Sequence, residues 1–161
     1  MAIDIQWERG FAKRMRSFAQ AHSPKPGEIS VSIKIRVVSG CFHREHSPQA
    51  YQIIDQSLRR FPPEAGWKEH ESGPEILTWV KTGVDLATKV ICLVTAILIA
   101  RSRGIEKGDN RTERLEVVVR RVDDGKTVRE ETILRLGHKE KIDQKLLEKK
   151  LNKAIKRLSK K

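Results

Sequence analysis

The sequence predicts an α+β fold: a small sheet of one strand plus a hairpin, packed against helices that include one long amphipathic helix near 73–103. Three observations carry this. Residues 28–38 alternate apolar and polar at period two. An Asp-Gly pair separates two β-branched runs between Leu115 and Leu136. Apolar residues recur at steps of three and four through 76–98 and again through 147–158.

Residues 1–27 read as a basic N-terminal arm with a short helix over 5–20. Phe11, Met15 and Phe18 fall at i, i+4, i+7, with Arg9, Lys13, Arg14 and Arg16 around them. Pro24-Lys25-Pro26-Gly27 ends the helix as a linker. The α+β body, 28–137, opens with the strand. Ile29, Val31, Ile33, Ile35 and Val37 alternate with Glu28, Ser30, Ser32, Lys34 and Arg36, which predicts a half-buried strand with one polar face.

Ser39-Gly40 closes that strand. Ser47 as N-cap and Pro48 at the first helical position open a helix whose apolar stripe is Tyr51, Ile54 and Leu58, and Pro62-Pro63 stops it. Residues 64–71 read as loop. Ser72-Gly73-Pro74-Glu75 matches a capping box, so a helix is expected from there to about Arg103, with Gly104 as C-cap. Leu77, Val80, Val84, Ala87, Ile91, Val94 and Leu98 give it an apolar face, and Thr78, Lys81, Asp85, Thr88, Lys89, Cys92 and Thr95 fall opposite. At ~1.5 Å per residue it would be about 45 Å long, wider than the domain. A bend near Gly83 or a partner along the exposed end follows.

The same segment, 76–100, is where a membrane span would lie. Its uninterrupted apolar run, Val90 to Ala100, is too short, since a span needs about 20 residues. Extending it back takes in Asp85 and Lys89, which cost roughly 5–7 kcal/mol on the insertion scale against roughly 3–5 kcal/mol returned by the aliphatics. Integral insertion is therefore disfavoured.

Leu115–Val122 and Thr127–Leu136, joined by Asp123-Asp124-Gly125-Lys126, read as a charge-rich hairpin with one solvated face. Residues 138–161 form a basic amphipathic C-terminal helix. Leu147, Leu151, Ala154, Ile155 and Leu158 share one stripe, and Lys145, Lys149, Lys153, Lys156, Arg157 and Lys160 lie opposite.

Charge follows this division. Residues 1–26 carry five Lys/Arg and two Asp/Glu, net +3; residues 137–161 carry ten and three, net +7; the stretch between is net +2. A neutral body with basic ends points to an anionic partner or a solubilising surface. Two cysteines do not make a disulfide framework, and Cys92, inside the apolar run, is expected as a buried reduced thiol. The N-terminus carries Asp4 and Glu8 and no apolar run, so no signal peptide is read and a cytoplasmic location is expected. The Asn110-Arg111-Thr112 tripeptide reads as a chance match in a loop.

One cluster has ligand-type residues: Cys41, His43 and His46, with His70 further along. Its spacing matches no zinc motif and no CxxC accompanies it, so a polar loop is expected, with no metal and no cofactor. Glu69-His70-Glu71 reads as acidic residues preceding a helix N-terminus. No phosphate-binding glycine loop, nucleophile elbow or HExxH occurs, so no catalytic site is expected.

The leading functional expectation is a non-catalytic binding or adaptor protein. Its body would meet a protein partner through a hydrophobic or hairpin surface, or a second copy through the long helix. A second is a DNA- or RNA-associated protein that uses its C-terminal helix and N-terminal arm on phosphate backbones. A third is a membrane-associated component working through 76–100.

Overall fold

Alternation at 28–37 produces the expected strand, and the rest of the sheet is built around it. In the computed structural model, which describes residues 7, 9–37, 40–61, 65–81, 83–110, 114–123, 126–137 and 141–159, the elements run as follows: α1 (Phe11–Ala21), β1 (Glu28–Val37), α2 (Pro48–Leu58), β2 (Gly66–His70), β3 (Gly73–Lys81), α3 (Thr88–Glu106), β4 (Leu115–Asp123), β5 (Lys126–Leu136) and α4 (Gln144–Ser159). The sheet is antiparallel, five strands in the order β2-β3-β1-β4-β5. It is thus larger than the expected one strand plus hairpin. The extra strands come from 66–70, read as loop, and from 73–81, read as the first part of the long helix.

The single helix over 73–103 is therefore a misreading with a physical cause. In β3, Ile76 and Val80 lie on one side of the sheet and Glu75 and Leu77 on the other, and all are buried. A strand covered on both faces loses its alternation, and its apolar spacing ran in phase with the repeat of α3. The chain turns at Gly83, whose φ of 82° suits glycine, and Val84 is left exposed. The helix begins only at Thr88, so its 19 residues span about 28 Å rather than 45. The overhang expected of a helix about 45 Å long is therefore absent among the described residues. Among the described residues, no helix is long and apolar enough to cross a membrane. Cys92, expected as buried, is exposed.

Two layers cover the sheet. Val31, Ile33 and Ile35 of β1, with Val117 and Val119 of β4, face α2, α3 and α4 in the main core. The second face is the polar one, and it is buried too, against expectation. Phe11, Met15 and Phe18 of α1 pack on Leu77, Val122 and Trp79. Beside them Trp7 is fully buried, and Ser32 and Lys34 beneath are 0% exposed. Glu116 and Arg120 of the hairpin, expected on a solvated face, are also buried.

α2 shows how distant residues complete local signals. Ser47 stands at the N-cap with Pro48 after it, yet its side chain makes no capping bond. Asp109, just past α3, does that work: its carboxylate accepts from the N–H groups of Gln49 at 3.1 Å and Ala50 at 2.9 Å. Asp109→Ala should then lower stability by about 1–2 kcal/mol, the worth of a good cap, read as a drop in the urea midpoint. Ser47→Ala should cost far less. Equal effects would refute the distal cap.

The remaining Asp124-Gly125 turn, Pro62-Pro63, and Arg111 and Thr112 of the tripeptide lie outside the described residues, although Asp123 pairs with Lys126 across the hairpin.

Candidate functional site

The basic helix folds as its stripe requires. Asp143 starts α4, its carboxylate accepting from the Leu146 N–H at 3.2 Å. Leu147, Leu151, Ala154, Ile155 and Leu158 are buried in the main core. Asn152 accepts from the Leu86 N–H at 2.9 Å, which ties the helix to the segment before α3. At the far end, Arg121 and Arg129 donate to the carbonyls of Leu158 and Arg157 at 3.1 and 3.0 Å. Cations there complement the helix dipole and fill its orphan acceptors.

This fixes the outward face. Lys145, Lys149, Lys153, Lys156 and Arg157 are all exposed. Arg157 pairs with Glu131 of β5 at 2.8 Å. Lys145, Lys149, Lys153 and Lys156 form no ion pair among the described residues. They stand at i, i+4, i+8 and i+11, a row about 16 Å long. Lys160 lies outside the described residues. The N-terminal cations do not join this surface. Arg9, Lys13 and Arg16 are exposed on or beside α1, which covers the opposite face of the sheet.

A second constellation sits at the other end of the sheet, between β1 and α2. The His43 carbonyl accepts from the N–H groups of His46 and Ser47 at 3.1 and 2.8 Å, a tight turn that brings the two rings together. His43 Nε2 and His46 Nδ1 are 3.1 Å apart. Cys41 Sγ lies 3.4 Å from Glu71 Oε1, on the turn joining β2 to β3. Burial, then the Glu71 hydrogen bond and charge, push the Cys41 thiol above its usual range. Arg44 is held by Asp55 at 2.6 Å and Glu69 at 2.9 Å. Its neighbour Glu45 shares the open cleft with His43, His46, His70 and Glu71. The acidic flank of His70 does not precede a helix, as expected, but ends a strand.

The third group is enclosed. Glu75, with no exposed surface, accepts from Trp7 Nε1, from Ser32 Oγ at 2.8 Å and from Arg14 Nε at 3.0 Å, with His70 Nε2 at 3.4 Å. Burial alone would raise this carboxyl. The hydrogen bonds and the Arg14 charge overcome it and hold the group at about 2. The Trp7 ring is ringed by cations, with Arg120 3.4 Å above it and Arg36 at 5.3 Å. Here the buried carboxylate is satisfied by donors from Trp7, α1 and β1. Trp7 is not singled out by the sequence, and Glu71 reads there only as an acidic flank of His70, since each acquires its neighbours only through the fold.

Set against protein families, curated proteins and solved structures, the chain matches none.

Proposed function

We propose that the protein is a non-catalytic binding module that grips nucleic-acid phosphate backbones through the lysine row of α4. The observation that carries this is the exposure of Lys145, Lys149, Lys153 and Lys156 on a rigidly seated helix, free of ion pairs among the described residues. Lysines act on phosphates as point charges and lack the paired donors that read guanine, so binding is weakly sequence-dependent. Three features favour this over the other readings. The only large apolar side chains exposed among the described residues are Val84 and Leu146, too few for a protein-docking patch. The apolar stripe of α4 is already used in the core, which leaves Leu146 as the one large apolar side chain among the described residues of that helix to meet a lipid interface. The acidic partner of Arg157 lies at the edge of the row rather than within it. We place the protein in the cytoplasm, where its free thiols Cys41 and Cys92 would stay reduced.

Four phosphate contacts imply a log–log salt slope of about −3.6 on duplex DNA. Changing the four lysines to Gln should flatten that slope while circular dichroism stays unchanged, because the buried stripe is untouched. Absence of wild-type retention on DNA or RNA at about 50 mM salt, or an unaltered slope in the variant, would end this reading.

A further inference from the structure

We propose a zinc site in which Cys41 Sγ, His43 Nε2, His46 Nδ1 and a Glu71 carboxylate oxygen are the four ligands. The residue spacing does not announce it, because the fourth donor comes from another turn. The Cys41, His43 and His46 donor atoms lie within 4.8 Å of one another. A tetrahedral zinc with nitrogen and sulfur ligands has donor–donor edges of roughly 3.3–3.6 Å. The His43–His46 separation of 3.1 Å and the Cys41–Glu71 separation of 3.4 Å are already near that size. To complete the tetrahedron, the Cys41 sulfur and the histidine nitrogens close in from within 4.8 Å, and the Glu71 carboxylate follows Cys41.

The backbone that carries these donors is anchored. The Phe42 ring is fully buried, its N–H donates to the Glu71 carbonyl at 2.8 Å, and its carbonyl accepts from the Tyr51 hydroxyl at 2.9 Å. With Phe42 held inward, Cys41 and His43 on either side of it keep partial exposure beside the cleft. The Phe42–Glu71 bond holds the two turns in register, and the Val37 N–H adds a second tie by donating to the Ser72 carbonyl at 2.9 Å.

Charge also matches. On binding, the Cys41 thiol gives its proton to solvent and becomes a thiolate. With the Glu71 carboxylate and two neutral imidazoles, the site carries two negative charges against the two of the ion. The nearby cation, Arg44, is engaged by Asp55 and Glu69. Sulfur and imidazole donors select zinc over calcium or magnesium. The bound ion would staple the β1–α2 loop to the β2–β3 turn.

The test uses the reduced, full chain stripped with a chelator and titrated with zinc against a chromophoric competitor. One equivalent per chain is expected. Cys41→Ser, His43→Gln and His46→Gln should each weaken uptake by at least about tenfold, the scale on which even outer-shell changes act, and Cys92→Ser should leave it unchanged. A second measurement needs no variant. One equivalent of zinc should slow alkylation of Cys41 by at least about tenfold in wild type while exposed Cys92 reacts as before. Unchanged Cys41 alkylation overturns the site whatever the variants do, and so does uptake that is equal in Cys41→Ser and wild type.

Discussion

Glu75→Gln is expected to lower stability by about 3–5 kcal/mol, the cost of leaving buried charges without their partner. The carboxylate is fully buried and is the meeting point of Trp7, Arg14 and Ser32, with Lys34 directly opposite it on β1. A neutral amide keeps the shape but not the charge that offsets the Arg14 guanidinium, which is itself largely buried. Against a total of roughly 5–15 kcal/mol, the loss is large. The pH dependence follows from the same group. Its carboxyl is depressed from 4.5 to about 2, so its contribution is complete above about 4.5 and is lost as the pH falls through about 2. The size of that shift corresponds to about 3 kcal/mol. Urea unfolding of both proteins between pH 7 and pH 2 checks this: the wild-type advantage should be full at neutral pH and close towards pH 2. A gap that is absent at pH 7, or that stays constant down to pH 2, would show that Glu75 does not hold this face together.

Gly73→Ala should be of similar severity, for steric reasons. Gly73 opens β3 with φ at 141°, a region that side chains rarely enter. A Cβ there would stand 1.9 Å from the Ile35 carbonyl oxygen and 3.0 Å from its carbon. Both are backbone atoms of the central strand, so no rotamer change relieves the clash. Relief requires β3 to move off β1, which would also disturb the Lys34 ammonium that donates to the Gly73 carbonyl. Backbone strain and overpacking each cost roughly 1–3 kcal/mol, so a loss of about 3–5 kcal/mol is expected. Gly83→Ala is the matched control. Its φ of 82° is also strained for alanine, but nothing lies within 4 Å of the added carbon, and only about 1–2 kcal/mol should go. Thermal or urea unfolding of the pair would decide the matter. Equal losses would mean that conformation alone, and not the approach of the two strands, governs Gly73.

Both residues lie in the segment whose sequence pattern was misleading, and that is no accident. Glu75 was assigned to a capping box and Gly73 to its interior. The same four residues, Ser72 to Glu75, instead form a hairpin corner and the start of a strand.

Elements whose signals are local were legible from the sequence alone. The alternation of Ile29 to Val37 needs only a sheet with one apolar side to become β1. The hairpin of β4 and β5 follows from two β-branched runs and a short polar break. The stripe from Leu147 to Leu158 dictates both that α4 forms and which way its lysines point, because an amphipathic helix has one way to bury its apolar side. The histidine pair of the candidate metal site is local too, set by a turn at His43. What only the tertiary structure decided is everything that depends on a second layer. The cover of α1 and Trp7 turns Ser32, Lys34, Glu116 and Arg120 from surface residues into buried ones, and gives β3 two buried faces that no period-two pattern marks. The β2–β3 turn carries Glu71 to Cys41 across 30 residues of chain, and Asp109 reaches α2 across 59. Periodicity reports which side of an element is apolar. Whether the other side meets water or another part of the chain depends on which elements the sheet order makes neighbours.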